Sequence, residues 1–193
     1  MRTNGIFSLV FAHDNGFPSI DFSIPANRNY NWLELGEMLD GQKPIDLSFT
    51  SSINITVTNK SKRFDCLSFN GRLLISSAAK QVFEGLQQSE IRYASLFVNS
   101  LPYYLMIVDR VIDCLDRDRS EIKSFPGDPT KIMAIKRYVL RKEAFGHFEI
   151  FRIPEHPTRV FVTESVKERI EASSLAGFGF TNVENPPPGI YLS

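Results

Sequence analysis

Five carboxylates crowd one short stretch of this 193-residue chain: Asp109, Asp113, Asp116, Asp118 and Glu121. Acids at such spacing have three chemical uses. They can hold a hard cation, share a proton as a catalytic acid and base, or present an acidic face to a basic partner. What lies between them disfavours the first two. Arg110, Arg117 and Arg119 are interleaved with the acids, and the segment has no glycine-bearing calcium loop. Alternating charge at the end of an apolar run has the composition of a solvated rim. Docking remains, with neutralisation by the three arginines as its plain alternative.

The other reactive residue types do not assemble in sequence. His13, His147 and His156 are far apart, and none sits at zinc-ligand spacing from a second donor. His147 and His156 stand in turn contexts, beside Gly146 and Pro157. Cys66 and Cys114 lie in apolar runs without a neighbouring histidine, as buried reduced thiols do. No serine occupies a Gly-x-Ser-x-Gly elbow. Gly177-Phe178-Gly179-Phe180 follows a predicted helix instead of opening one, so it aims no helix N-terminus at a phosphate, and Gly177 is expected to stop that helix. No catalytic residue, metal ligand or cofactor site is therefore expected. A small hydrolase using Asp113 and Asp116 is the alternative to a binding protein.

Composition bounds the partners. Lys plus Arg and Asp plus Glu are 22 each, which gives no electrostatic reason to bind nucleic acid or an anionic membrane. No stretch reaches the roughly 20 apolar residues of a membrane span. The apolar run Gly5 to Ala12 leads straight into His13-Asp14-Asn15-Gly16, so a first strand fits it better than a signal peptide. A cytoplasmic protein is expected, and the oligomeric state is not readable.

The elements that must position these residues follow from periodicity. Arg159 to Val162 reads as a strand entered from a turn at Pro154 and Pro157. Thr163 or Ser165 then caps a helix, with Ser165-x-x-Glu168 as a capping box and Val166 and Ile170 on its apolar face. Phe178-x-Phe180 opens a last strand. Moved back by 87 positions the pattern recurs: Arg72 to Ile75, then Ser76, then Ala79, Val82, Phe83 and Leu86 at helical spacing. Duplication is one explanation, and the generic strand-cap-helix pattern is the other.

Further strands are predicted at 5–12, 45–49, 53–57, 91–98, 132–140 and 148–153. Residues 64–69 are expected to pair with 72–75 through the Asn70-Gly71 turn. A short helix anchored by Trp32 is predicted between Asn31 and Gly41, and Pro126 to Pro129 is read as a loop. The apolar run Tyr103 to Leu115 fits either period and is read as a buried strand. As a strand it would send Asp109 and Asp113 to one side and Asp116 and Asp118 to the other; as a helix it would place Asp109, Asp113 and Asp116 on one face. The expected fold is α/β of the α+β type, a mixed, largely antiparallel sheet with a few short amphipathic helices. An N-terminal strand/helix lobe at 1–62 would pack on a body at 63–193.

Several of these segments resemble a bacterial immunity protein family, numbered eleven in the polymorphic-toxin classification and formerly a domain of unknown function. Tyr103-Tyr104-Leu105, then Val111 to Asp116 with Ser120 shortly after, are similar to its middle motif. Phe148 to Arg152, Arg159 to Glu164 and Ala176 to Phe180 are similar to its C-terminal signature. The likeness covers about residues 65–183. It implies a cytoplasmic protein that protects a toxin-producing cell by binding a cognate toxin domain, and it brings no catalytic residues. Of the five acids, it leaves the docking role as the one to place.

Overall fold

Strands that bury both faces read as continuous apolar runs, and two such strands, Arg72–Ser76 and Leu101–Val108, lie side by side within this chain. The computed structural model describes residues 5–11, 20–23, 54–57, 64–69, 71–86 and 90–187. Its elements are β1 (Ile6–Phe11), β2 (Ile20–Ser23), β3 (Asn54–Val57), β4 (Cys66–Phe69), β5 (Arg72–Ser76), α1 (Ser77–Glu84), β6 (Ile91–Val98), β7 (Leu101–Val108), β8 (Glu121–Phe125), β9 (Asp128–Arg137), α2 (Lys142–Phe145), β10 (Ile150–Ile153), β11 (His156–Thr163), α3 (Glu164–Ala172) and β12 (Phe178–Asn182). The fold is α+β, as the patterning predicts. The strand predicted at 45–49, the helix with Trp32, and His13 lie outside the described residues.

One sheet runs β10-β11-β1-β12 and is antiparallel throughout. The other runs β2-β3-β6-β7-β5-β4, with β3 and β6 its one parallel pair. β8 and β9 form a separate two-stranded ribbon. Strand alternation divides the apolar side chains among three clusters. Leu74, Leu105 and Ile107 enter one buried cluster on one face of the second sheet. Leu73, Ile75, Met106 and Val108 enter another, where they meet Phe7, Leu9, Val160 and Val162 of the first sheet and Ala79, Phe83, Val166 and Ile170 of α1 and α3. Ile6 and Phe161 point the opposite way, into a third cluster with Ile112, Leu115, Ile135 and Tyr138. At about 1.5–3 kcal/mol for each large apolar side chain fully buried, a one-residue slip in any central strand would exchange two cores.

The two predicted strand-helix units are both present. β4 and β5 pair antiparallel, with Gly71 in a turn at φ 74° just before β5, and β5 leads directly into α1. β10 and β11 pair across a turn at Pro154-Glu155, and β11 leads directly into α3. Buried Ala79 and Phe83 match buried Val166 and Ile170. Lys80–Glu84 and Lys167–Glu171 are equivalent i,i+4 ion pairs. Arg169 Nη1 donates to Gly85 O at 3.0 Å, tying α3 to the end of α1.

Local chemistry corrects several expectations. Ser76 caps α1, accepting from the Ala79 N–H at 3.2 Å. No capping box forms on α3. That helix starts at Glu164, so Ser165 is already in its first turn and donates to Glu149 Oε1 at 2.7 Å. Nor does Gly177 stop α3, which ends at Ala172 with Ser173 as its cap. Gly177, at φ 92°, rests on β4 so closely that a Cβ would stand 2.5 Å from the Cys66 carbonyl oxygen. The preceding Ala176 carbonyl takes the N–H groups of both Asp65 and Cys66, and the Ala176 N–H donates to Asp65 Oδ2 at 3.0 Å. Asp65 thereby joins the loop before β12 to the cap of α1, because Ser76 Oγ donates to its other oxygen at 2.7 Å.

Only Pro126 and Gly127 of the expected 126–129 loop form the turn, since Asp128 and Pro129 already belong to β9. β11 begins at His156, so that histidine sits in a strand and not in a turn. β7 ends at Val108, short of the predicted Leu115. β6 and β7 are joined at Asn99 and Ser100, whose φ values of 47° and 65° suit a two-residue hairpin turn.

Candidate interaction surface

Beyond Val108 the chain leaves the second sheet and runs extended along the first. Arg152 N donates to Arg110 O and Ile112 N donates to Arg152 O, both at 2.8 Å, so residues 110–112 cover the outer edge of β10. Asp116 N donates to Val139 O, and Arg141 N to Cys114 O, which ties 114–116 to residues 139–141. Ile112, Cys114 and Leu115 turn into the third core, while Asp113 and Asp116 to Asp118 stay at or near the surface. Neither the strand nor the helix arrangement of the acids occurs.

Four of the five acids have cationic partners. Asp109 takes Nη2 of Arg92 at 2.7 Å and also its Nε, which pushes the guanidinium pKa up. Asp113 takes Arg141 Nη2 at 3.2 Å. Asp116 accepts the Arg119 N–H at 3.1 Å, with the Arg119 guanidinium farther off at 3.9 Å. Glu121 pairs across the ribbon with Lys136 at 3.2 Å. Asp118 is exposed and has no partner among the described residues. Of the three interleaved arginines only Arg119 serves a neighbour: Arg110 pairs with Glu90, and Arg117 with Glu155.

The Arg117–Glu155 pair was not anticipated from sequence. Arg117 Nε and Nη2 donate to the same carboxylate oxygen, Oε1, at 3.2 and 2.9 Å. The acid is buried, with 5% of its side chain exposed, whereas the arginine is 59% exposed. Glu155 Oε2 has no donor among the described residues. The pair forms one wall of a cleft of about 340 Å³, completed by Pro154 of the β10–β11 turn and by Phe125, Thr130, Lys131 and Ile132 of the ribbon. A sequence signal existed in the alternation of Lys123 with Phe125 and Lys131 with Met133 about the Pro126-Gly127 turn, but residues 121–125 carry too little apolar bulk to read as a strand.

The remaining reactive groups are held inert. Burial pushes the Cys66 thiol up strongly and Cys114 up to about 12, far from a thiolate at neutral pH. His156 is held down at about 4 by burial and by the nearby Arg159 guanidinium. Tyr138, fully buried, is pushed up to about 12 by desolvation. Among the described residues no three His, Cys, Asp or Glu side chains are grouped to hold a metal ion, and no helix is long and apolar enough to cross a membrane.

Residues 15–185 match the model of the Immunity protein family, Imm11. The chain belongs to that family. The match begins some 50 residues before the segments that carry the resemblance in sequence, so β2, β3 and the central strands all fall within the Imm11 unit. Among curated proteins nothing matches the chain. Membership of an immunity protein family suggests a toxin-neutralising role, which directs attention to the exposed surface.

Proposed function

We propose that this Imm11 protein is a cytoplasmic immunity protein that neutralises one cognate toxin domain by direct stoichiometric binding, without catalysis of its own. The family match over residues 15–185 carries the reading. Its surface supports it: the extended segment 109–121 presents charged groups from a rigid edge, fastened to β10 and to residues 139–141 by backbone hydrogen bonds. Asp109, Asp113, Asp116, Asp118 and Glu121 are retained as a docking face for a basic toxin cleft, where complementary charge raises the association rate more than the affinity. Within that face Asp113, with 78% of its side chain exposed, and unpartnered Asp118 are the foremost carboxylates.

The test begins by sequencing the neighbouring reading frames for a toxin domain, which is then used as the binding partner. Co-expression should restore growth of cells producing the toxin, and the two purified proteins should form a one-to-one complex. Failure of both assays overturns the function. Asp113→Ala combined with Asp116→Ala addresses the acidic face. A folded double variant that binds as the parent does removes these acids from the interface.

A further inference from the structure

The ribbon cleft offers a partner something different from the acidic segment beside it. Two ion pairs supply its cations, Arg117–Glu155 and Lys131–Asp128, and in each the cation is the more exposed member. Glu155 is buried beneath a largely exposed Arg117. Asp128 is engaged by the N–H and hydroxyl of Thr130, at 3.1 and 2.6 Å, while its ion-pair partner Lys131 is 75% exposed and 3.5 Å away. Hydrogen bonding from Thr130 lowers the Asp128 pKa, so the carboxylate stays charged and committed. A molecule arriving at this mouth therefore meets ammonium and guanidinium donors.

The walls between these cations are apolar. Phe125 is 47% exposed, and it is the combination with neighbouring apolar groups, rather than its own exposure, that makes a patch. Ile132 and Pro154 face it across the cleft. The ribbon is held rigidly enough to present this shape, because Ile122 and Ile132 pack against the third core and Ile135 is buried within it. The other large apolar side chains exposed among the described residues are Phe97 and Leu101 near the β6–β7 turn, Val111, and Met133.

We propose that this cleft is a docking site for the cognate toxin, and that it receives a loop bearing an apolar side chain flanked by carboxylates. The apolar residue would fill the space between Phe125, Ile132 and Pro154, and the carboxylates would meet Lys131 and the outer edge of Arg117. Aromatic residues in such central pockets dominate binding energy, and rim charges govern the encounter rate. The inference rests on the toxin-binding reading above and adds the site and the chemistry of the segment that enters it.

The experiment measures binding of the toxin domain that passes the co-expression test above, in a catalytically inactive form, to the full chain at two salt concentrations. Phe125→Ala and Lys131→Glu are the informative variants, because both side chains are at the surface and neither leaves a buried charge behind. Phe125→Ala should weaken binding about tenfold or more. Lys131→Glu should slow association about tenfold at low salt, with the difference shrinking at high salt. Unchanged thermal melts would locate both effects in the interface. If the parent chain fails to bind, the function itself falls and takes the cleft with it. If the parent binds and both variants bind equally well, the cleft is overturned while the function stands. A chain that is dimeric alone, and becomes monomeric on Phe125→Ala with toxin affinity unchanged, would instead make the cleft a contact between copies and also overturn the proposal.

Discussion

Replacing Gly177 by alanine separates two costs that are usually confounded. Its backbone has φ 92°, a region that a side chain with a Cβ adopts at a cost of about 1–2 kcal/mol. Its Cβ would also be 2.5 Å from the Cys66 carbonyl oxygen, a backbone atom that can retreat only by moving β4. Such overpacking adds about 1–3 kcal/mol. Gly127 supplies the control, since its φ is nearly the same at 88° but nothing lies within 4 Å of an added Cβ. Gly127→Ala should therefore lose only the backbone term, and Gly177→Ala about 2–5 kcal/mol in all. For a chain of this length roughly 3 °C of Tm accompanies each kcal/mol, so the melts should fall by about 3–6 °C and about 6–15 °C. Hydrogen exchange should quicken at the Asp65 and Cys66 amides in the Gly177 variant, because both donate to Ala176 O. Equal losses in the two variants, with no change at those amides, would refute the close approach as the reason for glycine.

Arg117→Ala should destabilise the chain by about 1–2 kcal/mol, the value for an uncovered buried carboxylate after a discount for the solvent around the arginine. Glu155→Gln should recover most of that loss in the double variant, and urea denaturation of all four proteins gives the coupling. His156 sets a pH dependence of definite sign. Its folded-state value, about 4, lies below its ordinary 6.5, so between these two values the unfolded chain binds a proton that the folded chain does not. Stability is complete above about pH 6.5 and falls as the pH drops toward 4. His156→Gln should flatten that part of the curve in a melt series, and an unaltered slope would show that the ring is not held neutral.

The C-terminal half was the most legible part of the sequence because its signals agree with one another. Arg159 to Val162 has strand composition, Val166 and Ile170 have helical spacing, and both units keep a turn before the strand that feeds the helix. What misled was chemistry with two physical meanings. A glycine after a helix looks like a stop, yet Gly177 is required by a carbonyl 111 residues earlier in the chain. Ser165 and Glu168 have capping-box spacing, but an α3 beginning two residues sooner, after Thr163, puts the serine inside the helix. The run from Tyr103 to Leu115 carried no period because it is two structures: a two-faced strand as far as Val108, then an edge cover whose alternate residues enter the third core.

The acidic segment shows the same limit for electrostatics. Sequence proximity makes Arg110, Arg117 and Arg119 the natural counter-charges, but Asp109 and Asp113 are matched by Arg92 and Arg141, 17 and 28 residues away. The arginines thereby released from local pairing reach Glu90 and Glu155. The direction of each pair matters more than its existence, since a partner senses only the member left in water. Asp113 is the more exposed member of its pair and Arg117 of its own, so within four residues the surface changes from acceptor to donor. Net charge over the segment is then a poor guide to what it attracts. A toxin complementary to both sides needs a basic group opposite Asp113 and an acidic one opposite Arg117. The spacing of those two groups, rather than the sign of either, is what would distinguish one cognate toxin from another.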